Sequence, residues 1–542
     1  MVKNKVTMGK LLINDKNATK FTLWLIFISF IFRFILANWT GLGVGESYYY
    51  GGARFLQLSY YDQPPLFMWL SGGVIRLLGD SCLILRLPAL VLFAGTSWIL
   101  YLITRKFFNA CAGFYTVLLL NVSGVFFLSG IWFQPDAPLM LFWIGYIYCL
   151  VQILFIDSKN STAKSNDLMW WLLSGLMLGL TILSKYHAIF LVIGFILFLI
   201  NSDQHRNILK QYKFYLSIFI SLMIAFPVFM WNYQHHWASF LFQGGRALNQ
   251  GPFQLHFDWF LRSILGQAVW TSLWIWIPLF YQLIESFRLR KSDIRYSFCF
   301  WMAITPIIFF TIVTLWADLQ YHFHWQAPGY MLLFIPLGQW VHNKFSDPKY
   351  VQLIKYWLSF SIFIVVFLFL LLAIHTQTGF WTWYGPKWMS YRATGVNYDP
   401  TMEGYDYDDL MTLFKQKGWI DNPDLFVGTT HWWLSGKIDW ALKGHKDILC
   451  FEDDARNYSY FNNPHNYIGK NGIIITKAND PLVKENVAPF CDNLLKLPDA
   501  EIKRRGVTEI TLKLYECQNF HQPKDPDLVK NVALYRFMIG DL

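Results

Sequence analysis

Charge is scarce in this chain. Only 15% of its 542 residues are Asp, Glu, Lys or Arg, against about 25% in soluble domains, so a purely soluble enzyme is excluded as a first reading. Cysteine is scarce too: seven residues, an odd and modest number, exclude a disulfide scaffold. Cys82, Cys111, Cys149 and Cys299 lie in or beside apolar segments as packed thiols, whereas one pair among Cys450, Cys491 and Cys517 is able to bridge in an oxidising compartment. Repeats, a P-loop, a dinucleotide fingerprint and paired CxxC motifs are all missing, which argues against an enzyme driven by a soluble nucleotide. There is no cleavable signal peptide either. The first apolar run, from Phe21, is too long for one and lacks a small-residue cleavage site, so it reads as an anchor.

What is present is apolar and aromatic: 55% of residues are hydrophobic and 19% are Phe, Trp or Tyr. Spanning a bilayer takes about 20 mainly apolar residues in a helix. About eleven such runs occur, at 21–38, 83–104, 108–128, 137–156, 168–183, 187–200, 214–231, 260–284, 297–316, 327–341 and 353–374. The net charge of +10 is distributed as topology control rather than as a nucleic-acid surface. Alternate connections carry the basic residues: Lys3, Lys5, Lys10, Lys16 and Lys20; Arg105 and Lys106; Lys159 and Lys164; Arg206, Lys210 and Lys213; Arg288, Arg290, Lys291 and Arg295; Lys344 and Lys349. By the positive-inside rule the N-terminus is cytoplasmic and the tail lies outside. The expected organisation is a polytopic α-helical membrane module at 1–375, followed by an α/β domain at 376–542. In that tail, β-like runs at 425–427, 472–476, 510–515 and 532–537 alternate with a helical patch at 407–417.

The unusual residues collect in the outer connections, while the inner loops are short and plain. Glu46 and Asp62 flank a tyrosine-rich stretch with Tyr48, Tyr49 and Tyr61, and Gln63 precedes Pro64-Pro65. A carboxylate at such an interface acts as a general base, binds a metal or remains a solvated charge. Asp136 lies between Pro135 and Pro138 at the outer start of a run, where it stabilises a helix N-terminus, serves the chemistry, or does both. Lys185 separates two apolar runs, and either snorkels to headgroups or holds a lipid phosphate. Trp231, Asn232, His235, Arg246, His322 and His324 add rings and donors on the same side. The histidine spacing is poor for zinc. Carboxylates, cations and rings at one interface suit a reaction between a membrane-embedded anion and something outside it. A lipid-linked sugar is such a donor, because cations stabilise its departing phosphate. A transporter or flippase of the same lipid is the alternative of another class. It also requires an inner-face counterpart, which the sequence lacks.

The succession Gly45-Glu46-Ser-Tyr-Tyr, Tyr60-Tyr-Asp62-Gln-Pro-Pro-Leu, Pro135-Asp136-Ala-Pro-Leu, Leu183-Ser-Lys185-Tyr, Trp231-Asn232-Tyr-Gln-His235 and His324-Trp-Gln-Ala-Pro328-Gly-Tyr330 resembles the bacterial branch of the dolichyl-phosphate-mannose-protein mannosyltransferase superfamily. That superfamily has the GT-C fold and includes the lipid A aminoarabinose transferases. The resemblance implies inverting transfer from an undecaprenyl-phosphate sugar, an aminosugar in one reading, at the periplasmic face of a bacterial inner membrane. It implies a lipid A phosphate as acceptor, with protein or O-antigen transfer as the alternative. Glu46, Asp62 and Asp136 become the catalytic candidates. Tyr48, Tyr49, Tyr61, Gln63, Lys185, Trp231, Asn232, His235, Arg246 and His324 become the substrate-binding ones. A divalent metal on Glu46 and Asp62 stays open. The family's first loop carries an Asp-Glu pair, and here Gly45 stands in the Asp position. Losing that base favours an acceptor that is already ionised, such as a phosphate, over a hydroxyl.

Overall fold

A computed structural model describes residues 13–155, 167–248, 254–384 and 399–541. The basic residues Lys3, Lys5, Lys10, Lys159 and Lys164 lie outside these. Six helices are long and apolar enough to cross a bilayer: Asp15–Trp39, Cys82–Phe107, Asp136–Leu154, Asp167–Ser184, Ile294–Leu315 and Val351–Thr378. Polar caps start several of them. Asn14 accepts from Lys16 and Asn17 at the first, and Ser81 from Ile84 at the second.

The expected count of eleven is not reached by length and composition, because several apolar runs are broken. Residues 214–231 become Tyr212–Ile224 and Phe226–Gln234, bent by 48°; residues 260–284 become Phe257–Trp270 and Leu273–Leu289, bent by 110°. With each bent pair taken as one span, the total among the described residues is eight. The run at 108–128 also divides, into Ala110–Asn121 and Gly124–Ser129. Two of these breaks meet. Ser123 donates to the Thr271 carbonyl at 2.8 Å, and the Gly124 amide donates to the Ser272 hydroxyl at 3.2 Å. Each break falls at a short polar step, Asn121 to Gly124 and Thr271-Ser272, which the apolar residues on either side outweigh, and serine hydroxyls satisfy freed backbone groups.

The apolar core of the bundle runs through Trp143, Ile147, Phe198 and Phe334. Close helix contact needs glycine here. A Cβ at Gly338 would lie 2.0 Å from Thr116 Oγ1, so the Ala327–Ser346 helix reaches Ala110–Asn121 only without a side chain at that point.

The C-terminal domain is α/β. Strands β1 (Leu425–Thr429), β2 (Ile448–Cys450) and β3 (Asn471–Thr476) are parallel, and β4 (Cys491–Lys496), β5 (Ala500–Arg504) and β6 (Val507–Phe520) extend the sheet in antiparallel fashion. The order is β2-β1-β3-β6-β4, with β5 also on β6. The expected helical patch is present as Asp408–Gln416, but 532–537 forms a helix, Ala533–Met538, rather than a strand. Its run of apolar residues packs on the sheet through Val532, Leu534 and Met538. Cys491 and Cys517 form a disulfide across β4 and β6, leaving Cys450 free.

The two parts meet at the Val44–Arg54 helix, in the connection between the first two long helices. The C-terminal Trp432–Ala441 helix lies against it so closely that a Cβ on Gly436 would fall 2.5 Å from Tyr48 Cα. Tyr48 is thereby part of the C-terminal domain's own core, with Leu434, Ile438 and Tyr458.

Candidate active site

Glu46 lies in the first turn of the Val44–Arg54 helix and reaches back to the Gly43 amide at 2.9 Å. Arg86 donates to both carboxylate oxygens, and the Phe133 amide donates to Oε1 at 2.8 Å. The remaining Arg86 donors hold the Ala37, Thr40 and Gly41 carbonyls. Both side chains are 2% exposed. Four donors fill the four lone-pair directions of the carboxylate. Glu46, for which a catalytic role is expected, thus has the geometry of a clamp joining three elements. A metal shared with Asp62 does not fit this carboxylate. Among the described residues, no group of three or more His, Cys, Asp or Glu side chains is arranged to hold a metal ion.

The glycine beside it opens space. A Cβ on Gly45 would lie 3.4 Å from Gln134 Nε2, an ordinary contact. Gly45 and Gln134 line a cavity of about 440 Å³ whose other walls include Leu36, Phe369 and Ala373, from the Asp15–Trp39 and Val351–Thr378 helices. Trp132 and Gln134 also border a smaller recess that contains Asp136 and His324.

Asp136 begins its helix, and Lys185 sits in the break between two helices. The Lys185 ammonium lies 3.0 and 3.1 Å from the two Asp136 oxygens. Trp325 presents its ring to Lys185 at 6.0 Å and to the Arg246 guanidinium at 4.8 Å. Arg246 donates to His322 Nε2 at 2.7 Å, so that nitrogen is bare. Burial, with Arg246 nearby, pushes His322 down to about 3; burial, with Lys185 and Arg246 opposing Asp136, pushes His324 down to about 4. Both rings are neutral near pH 7.

Asp62 is 3% exposed, and its Oδ1 accepts from Asn457 Nδ2 at 3.0 Å. Asn457 is held in turn, because its Oδ1 accepts from the Tyr61 amide at 2.9 Å and its own amide donates to the Tyr48 hydroxyl at 3.3 Å. Burial raises the Asp62 carboxyl above its usual range, against the pull of Arg456 and the Tyr48 hydroxyl. The Tyr49 phenol is within electrostatic reach of Asp62, Arg456, Asp136 and Arg246 together. Burial holds that phenol well above its ordinary value, so it remains protonated.

Other expected residues lie at the margin. The Asn232 amide donates to the Val228 carbonyl, and its oxygen accepts from the Phe240 amide at 3.2 Å. Tyr48 is 1% exposed, and its hydroxyl acts on Asp62. Trp231 donates to Gln57 and stacks on His235 at 4.0 Å. Tyr61, His235 and Arg246 line a second cavity of about 860 Å³, with Phe242, Tyr460 and Arg536. The Gln63 side-chain oxygen is buried without a hydrogen-bond partner. Sequence reasoning missed Arg86, Trp325, Arg456 and Asn457. Arg86 is an arginine within an otherwise apolar span, a signal that was available. Nothing local marks Arg456 or Asn457, since their place depends on how the domains dock.

Residues 62–231 match the family described as dolichyl-phosphate-mannose-protein mannosyltransferase. A lipid A galacturonosyltransferase, RgtD, of Rhizobium johnstonii is 23% identical over 308 residues, 54% of this chain and 58% of that protein. The chain thus matches little more than half the length of that curated relative. Apo ArnT from Cupriavidus metallidurans superposes with a TM-score of 0.61 at 12% identity, over 92% of this chain and 98% of that one. The same protein bound to undecaprenyl phosphate gives 0.57 at 12% identity, with the same coverage. The chain is a multi-pass membrane protein with the GT-C fold, and its residues 62–231 match the dolichyl-phosphate-mannose-protein mannosyltransferases.

Proposed function

We propose that this protein is an inverting glycosyltransferase that moves a sugar from an undecaprenyl-phosphate donor to a lipid A phosphate. The reaction takes place at the periplasmic face of a bacterial inner membrane. The observation that carries this reading is the buried pair of Lys185 and Asp136 with the half-buried Arg246 and Tyr49 nearby, in a protein that has a glycine where a base is expected. An acceptor phosphate oxyanion attacks the anomeric carbon, and the bond from that carbon to the donor phosphate breaks. Its electron pair stays on the leaving phosphate, which gains one negative charge. Lys185 and Arg246 are the cations that would meet that charge. Asp136 holds the Lys185 ammonium in position. No proton has to leave the nucleophile, so the site functions without a free carboxylate at position 45.

The Cys491–Cys517 disulfide supports placing the tail in an oxidising compartment, with the N-terminus on the cytoplasmic side. The sugar is read as an aminosugar or a galacturonic acid, the latter after the R. johnstonii relative. Mass spectrometry of lipid A from a deletion strain decides both points, since the two sugars leave different mass changes. An unaltered lipid A spectrum would sink this acceptor, and altered glycoprotein or O-antigen in its place would redirect the assignment.

A further inference from the structure

The larger cavity, about 860 Å³, is walled by both parts of the chain. Tyr61 comes from the connection after the Val44–Arg54 helix, Phe242 from the Ala238–Ala247 helix and Tyr460 from the C-terminal domain. Tyr61 stands between the other two, its ring centroid 4.7 Å from that of Phe242 and 5.8 Å from that of Tyr460. All three are only half-buried, so this aromatic wall is accessible. A strained turn adds two histidines. His236 and Trp237 both have left-handed backbones, φ 50° and 62°, which cost non-glycine residues about 1–3 kcal/mol each. Asn232 enforces the turn: its carbonyl accepts from the Trp237 amide at 2.7 Å, and its side-chain oxygen from the Phe240 amide. His235 and His236 are thereby set on the cavity wall, and the exposed His236 ring makes no hydrogen bond among the described residues. Strain held in place at a cavity points to a ligand there. The charges on the wall are mixed. Arg246 and Arg536 are matched by Asp318 and Asp541, and Arg536 is paired with Asp541 at 3.1 Å, so the cavity as a whole is not built for a bare ion. A saccharide fits it. The apolar faces of sugar rings pack on aromatic side chains, and sugar hydroxyls both donate and accept towards imidazole, guanidinium and carboxylate. The volume lies within the roughly 300–1,000 Å³ of ligand sites.

We infer that this cavity seats the saccharide headgroup of the acceptor, with Tyr460 as the C-terminal domain's contribution to binding it. Calling the sugar the acceptor's rests on the proposed reaction. Arg246 lines this cavity and lies 4.8 Å from the Trp325 ring, which Lys185 shares at 6.0 Å, so a headgroup seated here lies next to the proposed cations. The test is calorimetric titration of the purified full-length protein in detergent with three probes. These are the deacylated, phosphorylated glucosamine disaccharide of lipid A, the same disaccharide without phosphates at up to millimolar concentration, and undecaprenyl phosphate. Wild type should bind both disaccharides. Tyr460→Ala is expected to weaken both by about tenfold, equivalent to ~1.4 kcal/mol, and to leave undecaprenyl phosphate unchanged. His236→Ala should weaken both several-fold, and His236→Gln, which keeps a hydrogen-bonding edge, should recover part of the loss. Melting temperature reports whether Tyr460→Ala is folded, and His236, exposed and unbonded, is replaceable without harm to the fold. Unchanged disaccharide affinity in His236→Ala, or in a folded Tyr460→Ala, would overturn the inference. So would a wild type that binds neither disaccharide or only the phosphorylated one, since charge rather than sugar would then be recognised. Loss of undecaprenyl phosphate binding alone would transfer the cavity to the donor and equally overturn it. Sugar transfer by the wild type, assayed in parallel, tests the reaction separately. A protein that binds the disaccharides through Tyr460 yet transfers nothing would leave a saccharide site standing and remove the enzyme.

Discussion

The Lys185 ammonium bridges both carboxylate oxygens of Asp136, at 3.0 and 3.1 Å, with neither side chain more than 9% exposed. Each charge in this pair is supported mainly by the other. Removing one partner strands a buried charge, at a cost of about 3–5 kcal/mol. Lys185→Met should lose both transfer activity and thermal stability. In Lys185→Met/Asp136→Asn, stability should largely return while activity stays absent. Full activity in the double variant would remove this pair from the site.

Glu46 and Arg86 make the contrasting prediction. With all four lone-pair directions of Glu46 occupied, Glu46→Gln should act through folding, lowering the melting temperature as a buried ion pair is broken. Arg86→Gln should do the same. The activity of whatever fraction remains folded should be within a few-fold of wild type. A Glu46→Gln protein with unchanged stability and no turnover would restore Glu46 as a base.

Gly45→Asp tests the reading of the acceptor. The position has room for a Cβ, and helix propensity favours Asp over Gly by a few tenths of a kcal/mol, so stability should stay within about 1 kcal/mol of wild type. The new carboxylate faces Gln134 beside the Asp136 recess. Comparing a phosphate acceptor with a hydroxyl acceptor is the measurement, and the substitution should raise the relative rate on the hydroxyl. A rate ratio that does not move would separate position 45 from acceptor choice.

His322 and His324 set a pH dependence of stability. Folded, they titrate at about 3 and about 4; unfolded, near the ordinary value of about 6.5. Between these limits the unfolded chain binds more protons, so their contribution to stability falls as pH falls from about 6.5 towards 4. Asp439, pushed up to about 6 by burial against its Arg54 partner, contributes in the opposite sense. A variant comparison therefore isolates the histidines. His324→Gln should flatten the decline of melting temperature with acid, and an identical slope in variant and wild type would contradict the neutral buried ring.

Opening the Cys491–Cys517 bridge, 26 residues apart in sequence, should cost the C-terminal domain about 3–4 kcal/mol in the chain-entropy account. Denaturant unfolding of the full-length protein with and without reductant measures it. In cells, protection of these two thiols from alkylation should accompany export of the tail.

Much of the membrane architecture is legible in the chain, because a bilayer demands long apolar helices and basic loops mark one side. Lys185 and Asp136 are legible for a related reason, as charges beside apolar runs are rare enough to stand out. The breaks at 122–123 and 271–272 are not, since each serine hydroxyl bonds a backbone group of the other segment, a meeting across space that the short polar steps do not announce. Glu46 shows a different limit. Its type and position suggest a base, while its engagement by Arg86, forty residues on, is not written in the local sequence. Arg456 lies nearly 400 residues from Asp62 in sequence, and no local pattern encodes that meeting.

The docking of Asn457 onto Asp62, Tyr61 and Tyr48 has a consequence for biogenesis. The loop that carries Asp62 reaches its final form only once residues nearly 400 positions further on have been made and folded, so this early connection and the C-terminal domain mature together rather than in turn.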